Sequence, residues 1–111
     1  MSLAPPIQNL DRLDIVGERN DGGVDLVIVV SGALDGSPST LLLLETKIKN
    51  YIAELMSSEF KQKYRFSKNG GNSIYIVSDH PVDTLALAVI ERLKPSAKRA
   101  GAYLGIRRSM E

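Results

Sequence analysis

A chain of 111 residues, 43% apolar and 24% charged, has the size and make-up of one soluble globular domain with material for a two-layer core. It holds no cysteine, which excludes a disulfide framework, a thiolate nucleophile and a cysteine zinc site. No apolar run approaches the roughly 18 residues of a membrane span and no signal-peptide pattern opens the chain, so the expected setting is the cytoplasm, without a membrane partner. The net charge of +1 hides a split. Residues 1–55 carry four basic and eight acidic side chains and residues 56–111 ten and five, so the halves stand at −4 and +5. The expectation is that the two halves attract each other within one fold.

Residues 1–10 carry Pro5-Pro6 and no periodicity. They read as a flexible N-terminal arm ahead of a single α/β domain over 11–111. Leu13, Ile15 and Gly17 alternate with Asp14, Val16 and Glu18, a weak period of two that predicts a strand near a sheet edge. Asn20-Asp21-Gly22-Gly23 follows, and Asp-Gly between strand-like runs predicts a hairpin, because these residues accept positive φ at low cost. Val24 to Val30 is apolar apart from Asp25 and mostly β-branched, the pattern of a strand buried on both faces. Ser37 suits an N-cap and Pro38 a first helical position. Leu41, Leu44, Ile48, Tyr51, Ile52 and Leu55 then recur at helical spacing, predicting a helix from Pro38 to about Met56. Ser57-Ser58 breaks it, and 59–66 predicts a second, short helix.

Asn69 to Asn72 is a loop and Ser73 to Ser78 a strand. Asp79 or His80 is the expected cap of a further helix, with Pro81 early in it and Leu85, Ala88, Val89, Arg92 and Leu93 inward. Pro95 is expected to end or kink that helix. A short turn closed by Gly101 and a last strand from Ala102 to Arg107 complete the chain. The order β-β-α-β-α-β predicts an α/β domain, with α+β as the neighbouring class. The N-terminal hairpin is antiparallel and the later strands are joined by parallel crossovers. A mixed four-stranded sheet in that order carries its helices mainly on one face. The other face would be apolar, and an apolar face of that size predicts a homodimer. The alternative cover is the N-terminal arm.

Three places carry chemistry-bearing residues. Asp25 followed by Glu45-Thr46-Lys47 has the residue types of a magnesium-dependent restriction-type nuclease, two carboxylates for the metal and a lysine for water. That use requires 41–47 to be a strand, where Glu45 and Lys47 share a face; on a helix they sit about 200° apart. The Ser-Pro cap and the apolar stripe running to Leu55 favour helix. Ser31, Asp35, Ser78, Asp79 and His80 are expected at the carboxyl ends of neighbouring strands, where open α/β sheets bind ligands. The same residues serve equally as caps and turn formers. Lys61, Lys63, Tyr64, Arg65 and Lys68 interleave cations with aromatic rings, a pattern nucleic-acid surfaces use. Against it, Phe60 and Tyr64 lie four apart, as a short helix pinned to the core requires. A lone His80 makes neither a metal site nor a triad, and the glycine pairs form no phosphate-binding fingerprint. No catalytic residue, metal ligand or cofactor is therefore assigned. The reading is a non-catalytic binding or interaction module whose first partner is a second copy of itself.

Asp14-Ile15-Val16-Gly17, the segment Asp21 to Gly32, Asp35-Gly36-Ser37-Pro38 and the helix around Lys47 to Ile52 together resemble a small bacterial domain family of unknown function. The resemblance spans roughly 13–60. It implies a stand-alone protein of about this length, no assigned activity, and a helical acidic-lysine segment where Glu45-Thr46-Lys47 lies.

Overall fold

The computed structural model describes residues 7, 10, 13–64 and 71–108. Strand β1 (Ile15–Glu18) turns back into β2 (Val24–Val29). The turn is closed by the Arg19 N–H donating to the Gly23 carbonyl at 2.8 Å and the Gly22 N–H to the Arg19 carbonyl at 3.0 Å. Gly22 sits at φ 91°, which a side chain rarely accepts. Helix α1 (Pro38–Met56) begins where the Ser-Pro pair predicts, with Ser37 Oγ accepting the Thr40 N–H. Ser57 ends α1 and starts α2 (Ser58–Lys63). Its hydroxyl donates to the Glu54 carbonyl at 2.7 Å and accepts the Phe60 N–H at 3.1 Å. Strand β3 (Asn72–Val77), helix α3 (Thr84–Arg99) and strand β4 (Ala102–Arg107) follow.

The four strands lie side by side in chain order. β1 pairs antiparallel with β2; β2, β3 and β4 are parallel. Alternation then sorts the side chains. Val24, Leu26 and Ile28 of β2, Ile74 and Ile76 of β3, and Ala102 and Leu104 of β4 share one buried cluster with Leu44, Ile48 and Tyr51 of α1 and Val89, Ile90 and Leu93 of α3. Both long helices therefore cover the same face, as right-handed crossovers between sequential parallel strands require. Of the N-terminal arm, Ile7 lies in this cluster and Leu10 packs against it. The Leu10 carbonyl takes an N–H from Asn50 at 2.7 Å. The rest of the arm lies outside the described residues.

The second half of the chain departs from expectation around α3. Neither Asp79 nor His80 caps it, and Pro81 precedes it. The chain after β3 instead forms a one-residue parallel bridge, Leu34 with Val82. The Leu34 N–H donates to the Pro81 carbonyl at 3.1 Å and the Asp83 N–H to the Leu34 carbonyl at 2.8 Å. Those bonds hold 81–83 extended, so the helix starts at Thr84 with Asp83 as cap. Its inward face is Ala86, Val89, Ile90, Leu93 and Ala97. Leu85, Ala88 and Arg92 point outward, because the small Ala86 and Ala97 allow the close approach to the sheet that larger side chains would block. Pro95 does not end α3: it lies on the exposed side, and buried Leu93 and Ala97 anchor the helix on either side of it.

Candidate functional site

The polar centre of the fold is one that the patterns in the sequence do not announce. Lys47 projects from α1 toward the core, its side chain 0% exposed, and its Nζ donates to Asp14 Oδ1 at 2.8 Å. Asp14 Oδ2 accepts the Val29 N–H at 2.9 Å, which extends the β1–β2 ladder by one side-chain rung. The Asp14 N–H donates to Tyr51 Oη at 2.8 Å, and the Tyr51 hydroxyl donates to the Val27 carbonyl at 2.9 Å. Lys47 Nζ also stands 5.7 Å from the Tyr51 ring centroid. Burial pushes the Tyr51 hydroxyl up to about 12. The network ties α1 to the start of β1 and the end of β2. The Asp14 carboxylate, 16% exposed, and the Tyr51 hydroxyl both spend their polar atoms on protein partners, so the network fixes the sheet against α1. Lys47 was findable: it falls on the buried stripe of Leu44, Ile48, Tyr51 and Leu55, where an unpaired cation would be costly.

Residues 41–47 are helical. The condition for the nuclease arrangement is thus not met, and its three residues go separate ways. Asp25 is paired with Arg19, Lys47 with Asp14, and Glu45 with Arg92 at 2.6 Å and Lys49 at 3.7 Å. The hydrogen bond from Arg92 holds the Glu45 carboxyl below its ordinary range. Among the described residues the Glu45–Arg92 pair is the one ion pair joining the acidic half to the basic half. No three carboxylate or imidazole groups converge among them as metal ligands would.

The loops after β2 and β3 do come together, through the Leu34–Val82 bridge. Asp35 accepts the Ser37 N–H at 3.0 Å and the Ser37 hydroxyl at 2.6 Å, which holds its carboxyl below the usual range. Ser78 is buried; its hydroxyl accepts the His80 N–H at 3.2 Å and donates to the His80 carbonyl at 3.0 Å. Asp35 and Ser78 thus shape their own turns. Ser31, Asp79 and His80 are exposed at the rim. In the basic segment, Phe60 is buried and Tyr64 stacks against it with ring centroids 4.8 Å apart. Lys63 Nζ lies 5.5 Å from the Tyr64 ring, and Lys61 is exposed. The two aromatic rings are engaged with the core and with each other; Arg65 and Lys68 lie outside the described residues.

What remains open is the sheet face that carries no helix. The strand register lines up Ile15, Val27, Tyr75 and Gly105 in one row across it. Gly17, Asp25, Ser73 and Tyr103 form the row on one side; Val29, Val77 and Arg107 form the row on the other. Ile15 is 52% exposed, Val29 44% and Tyr103 58%. The Tyr75 and Tyr103 rings meet at 5.9 Å, and the Arg107 guanidinium lies 4.3 Å above Tyr75. A Cβ on Gly105 would meet the Tyr103 ring, so this glycine lets the ring lie flat on the strand. The described arm residues, Ile7 and Leu10, sit on the opposite, helical side.

No helix among the described residues is long and apolar enough to cross a membrane. Neither the curated proteins nor the solved structures include a match to this chain. The model of a family of unknown function, DUF6572, matches residues 5–109, nearly the whole length, and the chain belongs to that family.

Proposed function

We propose that the protein is a non-catalytic interaction module that pairs with a second copy of itself through the helix-free face of its sheet. The observation that carries this reading is the exposed trio Ile15, Val29 and Tyr103 around half-buried Tyr75 on a face without a helix, where Val27 is itself only 8% exposed among its neighbours. Four strands about 4.8 Å apart and about 20 Å long make a face on the order of 400 Å² in plan. Two such faces together come to about 800 Å², below the roughly 1,200–2,000 Å² of stable specific interfaces and within the range of weak, transient ones, which corresponds to a reversible dimer with Kd of tens of micromolar or weaker.

The face suits a two-fold axis. An axis along the central row lays the Val29–Val77–Arg107 row of one copy on the Asp25–Ser73–Tyr103 row of the other, and the reverse. The Arg107 guanidinium, already placed over one aromatic ring, then meets Tyr103 of the second copy, a favourable cation–ring contact at the rim of an apolar centre. Sedimentation velocity over a range of concentrations tests the proposal. The expected result is a monomer–dimer equilibrium that Val29→Glu, which sets a second carboxylate against Asp25 of the other copy, weakens about tenfold or more while leaving the fold intact, because this side chain is half exposed. A chain that stays monomeric up to about 1 mM, or a dimer indifferent to Val29→Glu, overturns it.

A further inference from the structure

We propose that the free edge of β4, with the groove it forms against α3, takes up an extended acidic segment of a partner protein as a fifth strand. β4 is the last strand of the sheet. The Gly101 carbonyl accepts from the Asn72 N–H at 3.4 Å and the Arg107 carbonyl from the Ser78 N–H at 3.1 Å. By the two-residue alternation of a strand, the odd positions from 101 to 107 turn their main-chain groups toward β3. The N–H and C=O groups of Ala102, Leu104 and Ile106 therefore point away from β3, on the side where no described strand pairs with β4. The edge carries no proline and no charge before Arg107, so it lacks the features that usually block strand addition.

A groove of about 560 Å³ runs beside this edge, floored by Ala102 and Leu104 and rimmed by Lys94 and Lys98. From Arg92 to Arg108 the chain holds six cations and no acid. Lys98 makes no ion pair among the described residues, and Lys94 holds only Glu91 at 2.7 Å, an exposed pair that an incoming carboxylate displaces at little cost. Spacing narrows the ligand further. Lys94 and Lys98 stand one helical turn apart, about 6 Å along the axis. Side chains two apart on an added strand are about 6.6 Å apart. The groove thus suits a segment with acids at alternate positions: main-chain bonds to Ala102, Leu104 and Ile106 supply affinity, and the two lysines select charge. This surface shares Tyr103 with the sheet face invoked for pairing but rests on the outward main-chain groups of β4 and on Lys94 and Lys98, which that pairing does not use, so either proposal can fail alone.

The test titrates the ¹⁵N-labelled full chain with a capped heptapeptide of threonine and valine bearing glutamate at its third and fifth positions. Expected are amide shifts confined to Ala102–Ile106 and to Lys94–Lys98, with slowed hydrogen exchange at Ala102, Leu104 and Ile106. Lys94→Glu with Lys98→Glu, both surface changes, should weaken binding about tenfold or more. Alternate backbone N-methylation of the peptide should abolish binding, and lysine in place of its glutamates should do the same. The proposal is overturned by no shifts at about 1 mM peptide, by shifts elsewhere, or by an N-methylated peptide that binds equally well. It is overturned also if those three amides are already protected in the free protein in proportion to its concentration, which would mean that a second copy fills the edge.

Discussion

Asp14→Asn is expected to destabilise the fold more than Lys47→Met, although each removes the same ion pair. The asymmetry follows from burial: the Lys47 side chain is 0% exposed and that of Asp14 16%. Asp14→Asn leaves the ammonium in the core without the carboxylate, and removing one partner of a buried pair costs about 3–5 kcal/mol. Lys47→Met fills the same slot with an apolar side chain of similar length. It leaves a carboxylate that still accepts the Val29 N–H and reaches solvent, so its cost is about 1 kcal/mol. The double variant should recover part of the Asp14→Asn loss, with a coupling of about 1–3 kcal/mol. Urea denaturation of the four proteins measures this as shifts in midpoint at constant slope. Since a domain of this size has a total stability of about 5–15 kcal/mol, Asp14→Asn should sit visibly closer to unfolding. Equal losses from the two single variants, or strictly additive losses in the double, would refute the claim that a paired cation is locked inside.

Tyr51 should ionise only near pH 12, a transition followed by absorbance and removed by Tyr51→Phe. Because its folded value is raised above the unfolded one near 10, the folded state holds that proton longer. Its contribution to stability is full below pH 10 and is lost as pH rises from about 10 to about 12. Ser57→Ala removes one hydroxyl that ends α1 and starts α2, and should cost about 1–2 kcal/mol in thermal unfolding. Gly23→Ala should cost at least about 1–3 kcal/mol, because its Cβ would run into the Gly71 carbonyl oxygen, a backbone atom that cannot swing aside as the nearby Arg19 side chain can. Arg92→Gln should return the Glu45 titration midpoint upward toward its ordinary value, as read by NMR, because the Arg92 hydrogen bond is the main cause of its lowering.

The elements that were legible in the sequence are those set by local chemistry. Asp21-Gly22 fixes a hairpin through backbone permissiveness alone, and Ser37-Pro38 fixes a helix start within one turn. The stripe from Leu41 to Leu55 distinguishes helix from strand over the one segment where the functional reading depends on it. What was not legible depends on contacts across long separations. Leu34 meets Val82 only because β2 and β3 are neighbours, and that bridge delays α3 past Pro81. Pro95 reads as a breaker from its ring, yet Leu93 and Ala97 hold the helix through it. Lys47 was hidden by a competing pattern: next to Glu45 it looks like a reactive pair, while its place on the buried stripe is what governs it. Its partner lies 33 residues earlier, beyond the reach of any local spacing.

The most direct measurement is an isotope-filtered NOE experiment on an equimolar mixture of labelled and unlabelled chains at a concentration where dimer is populated. The pairing account predicts intermolecular contacts between the Arg107 side chain and the Tyr103 ring, and around Tyr75 at the centre of the face. Intermolecular contacts confined to the helices or to the sheet edges, or none at all, would contradict it.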